Sequence, residues 1–143
     1  MGLSGDYAPS PFEFAANQVE LYESTNGKKG STLFDLPVVI LSTRGAKSGA
    51  VRKTPLMRVE HDGAYVAVAS QGGAPTHPQW YFNLLADPLC ELRDLAVVSQ
   101  RRARVLEGVE RGTWWVRAVA AYPPYAEYQE RTDRLIPVVL LEA

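Results

Sequence analysis

The clearest structural signal in the sequence is the stretch His61-Asp62-Gly63-Ala64-Tyr65-Val66-Ala67-Val68-Ala69. Asp-Gly is typical of a tight β-hairpin turn, because both residue types tolerate the backbone angles that such a turn needs. An apolar run rich in β-branched residues follows the turn, and residues 51–60 alternate loosely between apolar and polar types before it. We therefore predict a hairpin of two antiparallel strands.

Other short apolar runs on both sides of this hairpin predict further strands. They cover residues 37–41, 89–95, 97–106 and 135–141, and each is bounded by glycine, proline or charged residues. The neighbouring runs 89–95 and 97–106 predict a second strand pair. Pro137 lies inside the last run, and it indicates either an edge strand or the start of a strand.

Four segments have the spacing of helices. A first helix is predicted over residues 11–26, with Gly27 as its left-handed C-cap, because apolar residues recur there at helical spacing: Phe12, Ala15, Ala16, Val19 and Tyr22. A second helix is predicted to start at Pro78 and to end near residue 87, and its apolar face is Trp80, Tyr81, Leu84 and Leu85. A third helix carries Trp114, Trp115, Ala118 and Ala121, and a short fourth covers residues 125–131.

About six strands, joined mostly as hairpins and interleaved with helices, predict an α+β protein. The sheet is expected to be largely antiparallel and to close into a small barrel with helices over its ends. The length of 143 residues fits one domain. Within it, residues 1–36 would form an N-terminal helix and loop, and residues 37–143 the barrel.

The composition excludes several classes of function. A net charge of −1 gives no positive field to attract nucleic acid. No segment has the roughly 18 consecutive apolar residues of a membrane span, and no secretory leader is apparent, so a cytoplasmic location is expected. Phe12, Phe14 and Tyr22 are interpreted as core residues, although peripheral membrane contact through them stays open.

Cysteine and histidine indicate no metal site. Cys90 is the single cysteine, and the two histidines have no acidic or cysteine neighbours at ligand spacing. Cys90 is interpreted as a buried structural thiol. The glycine-rich dinucleotide fingerprint is also absent, which removes support for a Rossmann nicotinamide site.

Two segments are candidates for binding an anion. Arg44, Lys47, Arg52 and Lys53 fall within ten residues, with glycines between them, and they could hold a phosphate or carboxylate group. The alternative is a solvated basic hairpin loop. The segment 70–73 leaves a strand ahead of a helix, where free backbone N–H groups favour an anion, although a plain loop is equally compatible.

An aromatic stripe is the third candidate. Tyr122, Tyr125 and Tyr128 recur every three residues, so on a helix they would present three hydroxyls along one face. The stripe could line a flat ligand and donate hydrogen bonds or a proton to it, or it could simply pack in the core. Trp80, near a helix start, could stack on a flat ring.

Six blocks of the sequence, taken in order, resemble the deazaflavin-dependent nitroreductase family of actinobacteria. Together they fall within residues 38–142, and they read Gly45-Ala46-Lys47-Ser48-Gly49, Arg52-Lys53-Thr54-Pro55-Leu56, Ala69-Ser70-Gln71-Gly72-Gly73, Pro78-Gln79-Trp80-Tyr81-Phe82-Asn83-Leu84, Tyr122-Pro123-Pro124-Tyr125-Ala126-Glu127-Tyr128-Gln129 and Thr132-Asp133-Arg134-Leu135-Ile136-Pro137-Val138. The resemblance implies a split β-barrel. It also implies an oxidoreductase that transfers hydride from reduced coenzyme F-420, a deazaflavin with a phosphate-linked glutamate tail, to a planar quinone or nitroaromatic acceptor.

The resemblance also implies the residues of the site. Those expected to bind the coenzyme are Lys47, Ser48, Arg52 and Lys53 at its tail and phosphate, and Thr54, Pro55, Leu56, Met57, Val68, Ala69, Ser70, Gln71, Gln79, Trp80, Tyr81, Phe82, Asn83 and Tyr125 around the rest. Those expected to face the substrate are Met57, Trp80, Tyr122, Tyr125 and Tyr128. Tyr125 or Ser70 would polarise the acceptor as the catalytic group.

Three positions depart from the family pattern, and two other functions stay open. The family commonly has arginine at the position of Ala46, lysine at that of Gln71 and often tyrosine at that of Met57. Fewer positive charges would weaken binding of the anionic tail, and Met57 would change which acceptor is reduced. The alternatives are an FMN enzyme on the same barrel and a protein that binds a deazaflavin or another planar ligand without turnover. The oligomeric state is left open.

Overall fold

The computed structural model describes residue 3 and residues 5–143. Its regular elements are four α-helices and eight strands. In chain order they are α1 (Glu13–Ser24), β1 (Thr32–Leu33), β2 (Leu36–Arg44), β3 (Val51–Met57), β4 (Val59–His61), β5 (Ala64–Val68), α2 (Gln79–Ala86), β6 (Leu89–Asp94), β7 (Val97–Val105), α3 (Gly108–Ala121), α4 (Pro124–Glu130) and β8 (Val138–Glu142). A single 3₁₀ turn, Gln71–Gly73, lies between β5 and α2.

The strands form one curled sheet in which every paired neighbour is antiparallel. The order is β1-β2-β6-β7-β8-β5-β4, and β3 joins it by pairing with β2. The predicted antiparallel α+β fold is therefore confirmed. The strand count is eight instead of about six, because the short β1 was not foreseen and because the run 51–60 is divided in two.

The predicted hairpin is right at its turn and wrong in its extent. Asp62 and Gly63 have φ of 51° and 82°, and His61 pairs with Ala64 across the turn. Only the three residues of β4 pair with β5, however, because the chain leaves the ladder at Arg58 and the preceding β3 pairs with β2. The Arg58 guanidinium donates to Asp94 on β6 at 2.9 Å, a contact that favours this bend.

Two apolar cores lie against the sheet. One packs α2 on it and includes Val39, Leu41, Trp80, Leu92 and Leu141. The other packs α3 and α4 on it and includes Val59, Val66, Trp114, Ile136 and Val138. Burial of this apolar surface supplies the main driving force for folding.

The last strand occupies the interior of the sheet, between β7 and β5. Pro137 precedes its first residue, and the Pro137 carbonyl accepts a hydrogen bond from the Ala69 amide at 2.9 Å. Proline is tolerated there because the strand ladder begins one residue later. The prediction of a strand start is confirmed, and the alternative of an edge strand is wrong.

The first helix packs on the barrel through Val19 and Tyr22, which form a small buried cluster with Ile40. The Tyr22 hydroxyl donates to the Val38 carbonyl at 3.0 Å and accepts from the Leu95 amide at 2.7 Å. A buried phenol that satisfies both roles holds the helix between two strands.

The predicted C-cap of this helix is confirmed. Gly27 has φ of 80°, and its amide donates to the Tyr22 carbonyl at 2.9 Å, as in a left-handed cap. Phe12 and Phe14, in contrast, are 75% and 70% exposed, so their interpretation as core residues is wrong. Phe12 is the N-cap of α1, and Phe14 lies in its first turn. No helix in residue 3 and residues 5–143 has the length and apolar character to cross a membrane.

Candidate active site

A cavity of about 540 Å³ opens where β3, α1, α2 and α4 meet the loop after β5. Its lining is mostly apolar and aromatic, with a few polar groups, which is the usual character of a ligand site. The lining residues are Ser10, Pro11, Phe12, Ala15, Leu33, Val38, Arg52, Lys53, Thr54, Pro55, Leu56, Met57, Val68, Ser70, Gln71, Pro78, Gln79, Trp80, Asn83, Tyr122, Tyr125 and Tyr128.

One wall of the cavity is β3, from Arg52 to Met57. This strand pairs with β2 along one edge, and in the described residues its other edge has no strand partner apart from an isolated bridge between Tyr7 and Val51. Pro55 is compatible with such a strand, since a proline has no amide for a second ladder. The structure thus brings the predicted segment Thr54, Pro55, Leu56 and Met57 to the cavity as one continuous surface.

The basic segment predicted to bind an anion, residues 44–53, lies partly in the cavity and partly in solvent. Arg52 and Lys53 line the cavity, whereas Lys47 and Ser48 are exposed on the β2–β3 loop and do not line it. Arg44 forms an ion pair with Asp87 at the end of α2.

Both cavity cations already have partners in the protein. The Lys53 ammonium bonds the two carboxylate oxygens of Glu23 at 2.8 and 2.9 Å. The Arg52 guanidinium donates to the carbonyls of Ala8 and Pro9 at 3.3 and 3.0 Å. An anionic ligand would therefore share or replace these contacts.

The loop after β5 contributes Ser70 and Gln71 to the cavity. Ser70 is 8% exposed, and its hydroxyl makes no hydrogen bond within the described part of the chain. The Gln71 side chain instead bonds Thr76, whose carbonyl and hydroxyl accept at 3.4 and 3.3 Å. Val68 lines the cavity as well, but its neighbour Ala69 is buried in the first core.

The aromatic stripe of Tyr122, Tyr125 and Tyr128, called the tyrosine stripe below, lies along one side of the cavity, at the end of α3 and on α4. The hydroxyls of Tyr122 and Tyr128 are 3.0 Å apart and share a hydrogen bond. Tyr125, between them, is 4% exposed, and its hydroxyl has no partner among the described residues. Burial raises the pKa of Tyr125 well above the ordinary value for a phenol, so its hydroxyl stays protonated across the physiological range.

Helix α2 turns Gln79, Trp80 and Asn83 toward the cavity. Tyr81 and Phe82 do not line it, because residues one and two positions further along a helix point to other faces. They pack instead on His77, with ring centroids 4.8 and 5.8 Å from the imidazole.

The N-terminal segment forms a part of the cavity that the sequence did not predict. Ser10, Pro11, Phe12 and Ala15 close one side, and Leu33 and Val38 adjoin them. Helical spacing had placed Phe12 and Ala15 on one face, but it gave no indication of what that face would contact.

Cys90 has the structural role that was predicted for it. It is fully buried, and its thiol donates to the Arg101 carbonyl at 3.5 Å. Burial raises the pKa of this thiol to about 12, so almost no thiolate forms near neutral pH.

Comparisons with known proteins identify the family. Residues 15–143 match the family model described as F420H(2)-dependent quinone reductase. A curated F420H(2)-dependent quinone reductase of Mycobacterium tuberculosis is 35% identical over 128 residues, which span 85% of this chain and 84% of that protein.

Solved structures agree with this assignment. An F420-H2 dependent reductase (FDR-A) is 56% identical, with a TM-score of 0.71 over 78% of this chain and 98% of that one. A domain-swapped dimer is 51% identical, with a TM-score of 0.74 over 93% of this chain and all of the other. The predicted split β-barrel is thereby confirmed, as are the predicted oxidoreductase class and its coenzyme F-420. The chain belongs to the F420H(2)-dependent quinone reductase family.

Proposed function

We propose that this chain reduces quinone-type acceptors with hydride from reduced coenzyme F-420, and that both molecules bind in the 540 Å³ cavity. One observation carries the proposal. The hydroxyls of Ser70 and Tyr125 have no protein partner in the described residues, and both residues line the same aromatic cavity. Both residues are largely buried, yet their hydroxyls are open to the cavity, so a flat, oxygen-bearing acceptor bound there would accept their hydrogen bonds.

The chemistry of the lining fits the coenzyme. Trp80 and the β3 surface offer apolar area for a tricyclic ring, and Arg52 and Lys53 offer charge for a phosphate-linked tail. When bound, the reduced coenzyme supplies the hydride, as cofactors generally carry the difficult chemistry. We keep Lys47 and Ser48 as proposed tail contacts outside the cavity, and we expect Tyr81 and Phe82 to support the site through His77 without touching the ring.

The chain's own residues would supply position and hydrogen-bond donors. A quinone that accepts hydride becomes negatively charged on oxygen until it gains one proton. Tyr125 is suited to donate a hydrogen bond to that oxygen, because its raised pKa keeps the phenol protonated. Ser70 would donate a second hydrogen bond, and Met57, Trp80, Tyr122 and Tyr128 would hold the acceptor flat and exclude water.

The test is a direct assay with a panel of acceptors. Purified protein is mixed anaerobically with reduced coenzyme F-420 and either menadione or a nitroaromatic, and reappearance of the oxidised coenzyme is followed by absorbance. We expect oxidation that depends on the protein and is faster with menadione. Turnover with reduced FMN and none with the deazaflavin would favour an FMN enzyme. Tight deazaflavin binding without oxidation by any acceptor would favour a binding protein.

A further inference from the structure

Arg134 makes an unusual set of contacts with the loop between β5 and α2. Its guanidinium donates to three backbone carbonyls of that loop, those of Ala69 at 3.1 Å, Ser70 at 2.7 Å and Ala74 at 2.9 Å. A fourth contact joins its Nη1 to Nδ1 of His77 at 2.9 Å. One side chain therefore spans the loop from its first residue to the residue that precedes Pro78.

The loop itself has an unfavourable backbone. Gln71, Gly72 and Gly73 are three successive residues with positive φ, at 45°, 64° and 80°. For Gln71, which is not a glycine, such an angle is strained and persists only where surrounding contacts enforce it. The local bonds, from Gly73 to the Ser70 carbonyl and from Ala74 to the Gln71 carbonyl, close the turn but do not attach it to the barrel.

We propose that Arg134 is a positioning residue that fixes the backbone of Ser70 and thereby places its hydroxyl within reach of the cavity. This inference rests on the proposed function, because it concerns how that site is held. The Ala69 amide is tied to Pro137 at 2.9 Å, and the Ser70 carbonyl is tied to Arg134. Arg134 also holds the Ala69 carbonyl, so both peptide groups that flank the Ser70 Cα are fixed, and the Ser70 hydroxyl can occupy only the staggered positions about its Cα–Cβ bond.

Arginine is the residue type that this role requires. The four acceptors lie around a planar group with three nitrogens, and a lysine ammonium presents its donors from one nitrogen only. Because Nδ1 of His77 accepts from a guanidinium, the proton of the neutral imidazole must be on Nε2. The His77 tautomer therefore reports whether the contact exists.

The first test is a double-mutant cycle on turnover with menadione. We expect Arg134→Gln and Ser70→Ala each to lower kcat by about tenfold or more, and Arg134→Lys to restore part of the loss. The double variant should be no slower than the slower single variant, because both changes remove the same hydrogen bond. Losses that multiply in the double variant would overturn the proposal. Arg111→Gln is the matched control, since this half-buried arginine donates to the Ile136 carbonyl at 2.6 Å, away from the cavity.

The second test needs no turnover. Nitrogen NMR of the imidazole should show the Nε2–H tautomer of His77 in the wild type and in Arg111→Gln, and a mixture of tautomers in Arg134→Gln. Exchange of the two hydrogen-bonded amides of the turn, those of Gly73 and Ala74, should accelerate about tenfold or more in Arg134→Gln only. Unchanged exchange and an unchanged tautomer would overturn the positioning role. A wild type with the expected tautomer and slow exchange but no reduction of any acceptor would overturn the proposed function and leave the loop contact standing.

Discussion

The Asn83 amide donates a hydrogen bond to the Thr43 hydroxyl at 3.1 Å, and this bond joins helix α2 to strand β2. The amide oxygen of Asn83 accepts from the Ala46 backbone at 3.0 Å and from the Gln79 side chain at 3.1 Å. Asn83 is 1% exposed, so its polar atoms rely on these protein partners instead of bulk water. One buried side chain thus ties α2, which carries Trp80, to the β2–β3 loop.

We expect Asn83→Ala to destabilise the fold by about 1–3 kcal/mol, because it leaves buried donors and acceptors without partners. Asn17→Ala is the matched control, since Asn17 is exposed on α1 and a surface change of this kind costs less than about 0.5 kcal/mol. Urea unfolding followed by tryptophan fluorescence gives both values. Equal midpoints for the two variants would contradict the role given to Asn83.

The fold was predictable from sequence where the determining signals are local. Asp62-Gly63 placed a turn and Gly27 ended a helix, because each position needs a backbone angle that few residues adopt. The division of the 51–60 run was not predictable. It coincides with the contact of Arg58 with Asp94, which lies 36 residues further along the chain, and no periodicity within the run reports such a partner.

The candidate site was predictable to a similar degree. The β3 segment and the tyrosines line the cavity as expected, but Tyr81 and Phe82 do not, and helical geometry could have separated them from Trp80. The pairing of Lys53 with Glu23 joins residues 30 positions apart, so neither spacing nor charge pattern could have indicated it. The roles of these residues stay predictions.

Lys53 lines the cavity, and the Glu23 carboxylate binds its ammonium group at 2.8 Å. Glu23 therefore competes with any anionic ligand for Lys53. We expect Glu23→Gln to lower the Kd of oxidised coenzyme F-420 by about three- to tenfold, because it removes a negative charge from the tail site. Titration calorimetry measures it, and the gain should shrink at high salt. Glu20→Gln, exposed on the same helix, should leave the Kd within about twofold. A weaker complex with Glu23→Gln would mean that Glu23 orients Lys53 and does not compete with the ligand.

Tyr125→Phe separates hydrogen-bond donation from packing, because the ring is kept and only the hydroxyl is lost. We expect kcat with menadione to fall by about 10²-fold, the lower limit for the loss of one hydrogen-bond donor to a developing oxyanion. The Kd of the oxidised coenzyme should be unchanged, which fluorescence quenching can establish. Stopped-flow oxidation of the reduced coenzyme isolates the chemical step. Unchanged turnover would remove Tyr125 from the catalytic role and leave Ser70 as the donor.

Alkaline conditions should destabilise the protein through its tyrosines. Burial, and then the hydrogen bond to Tyr128, raise the pKa of Tyr122 from 10.0 to about 12. The folded chain therefore holds this proton more tightly than the unfolded chain does. Its contribution to stability is complete below about pH 10 and is lost as the pH rises toward about 12.

This pH dependence can be measured by urea unfolding at neutral pH and at about pH 11. The loss of stability between the two pH values should be smaller for Tyr122→Phe than for the wild type, whatever the variant costs at neutral pH. Comparing the change with pH, not the absolute stability, removes the effect of the lost bond to Tyr128. An identical loss in both proteins would assign the alkaline sensitivity to other groups.

Gly72 and Gly73 form a matched pair next to the tyrosine stripe. Both have positive φ, but a Cβ on Gly72 would meet nothing within 4 Å, whereas a Cβ on Gly73 would lie 2.8 Å from the Tyr128 carbonyl oxygen. We expect Gly72→Ala to cost about 1–2 kcal/mol from backbone strain alone. Gly73→Ala should cost more, and it should also lower turnover, because it pushes α4 and therefore Tyr125 away from the cavity. Unfolding and kcat measured on the same preparations test both statements, and equal losses of turnover in the two variants would show that contact with α4 does not position the stripe.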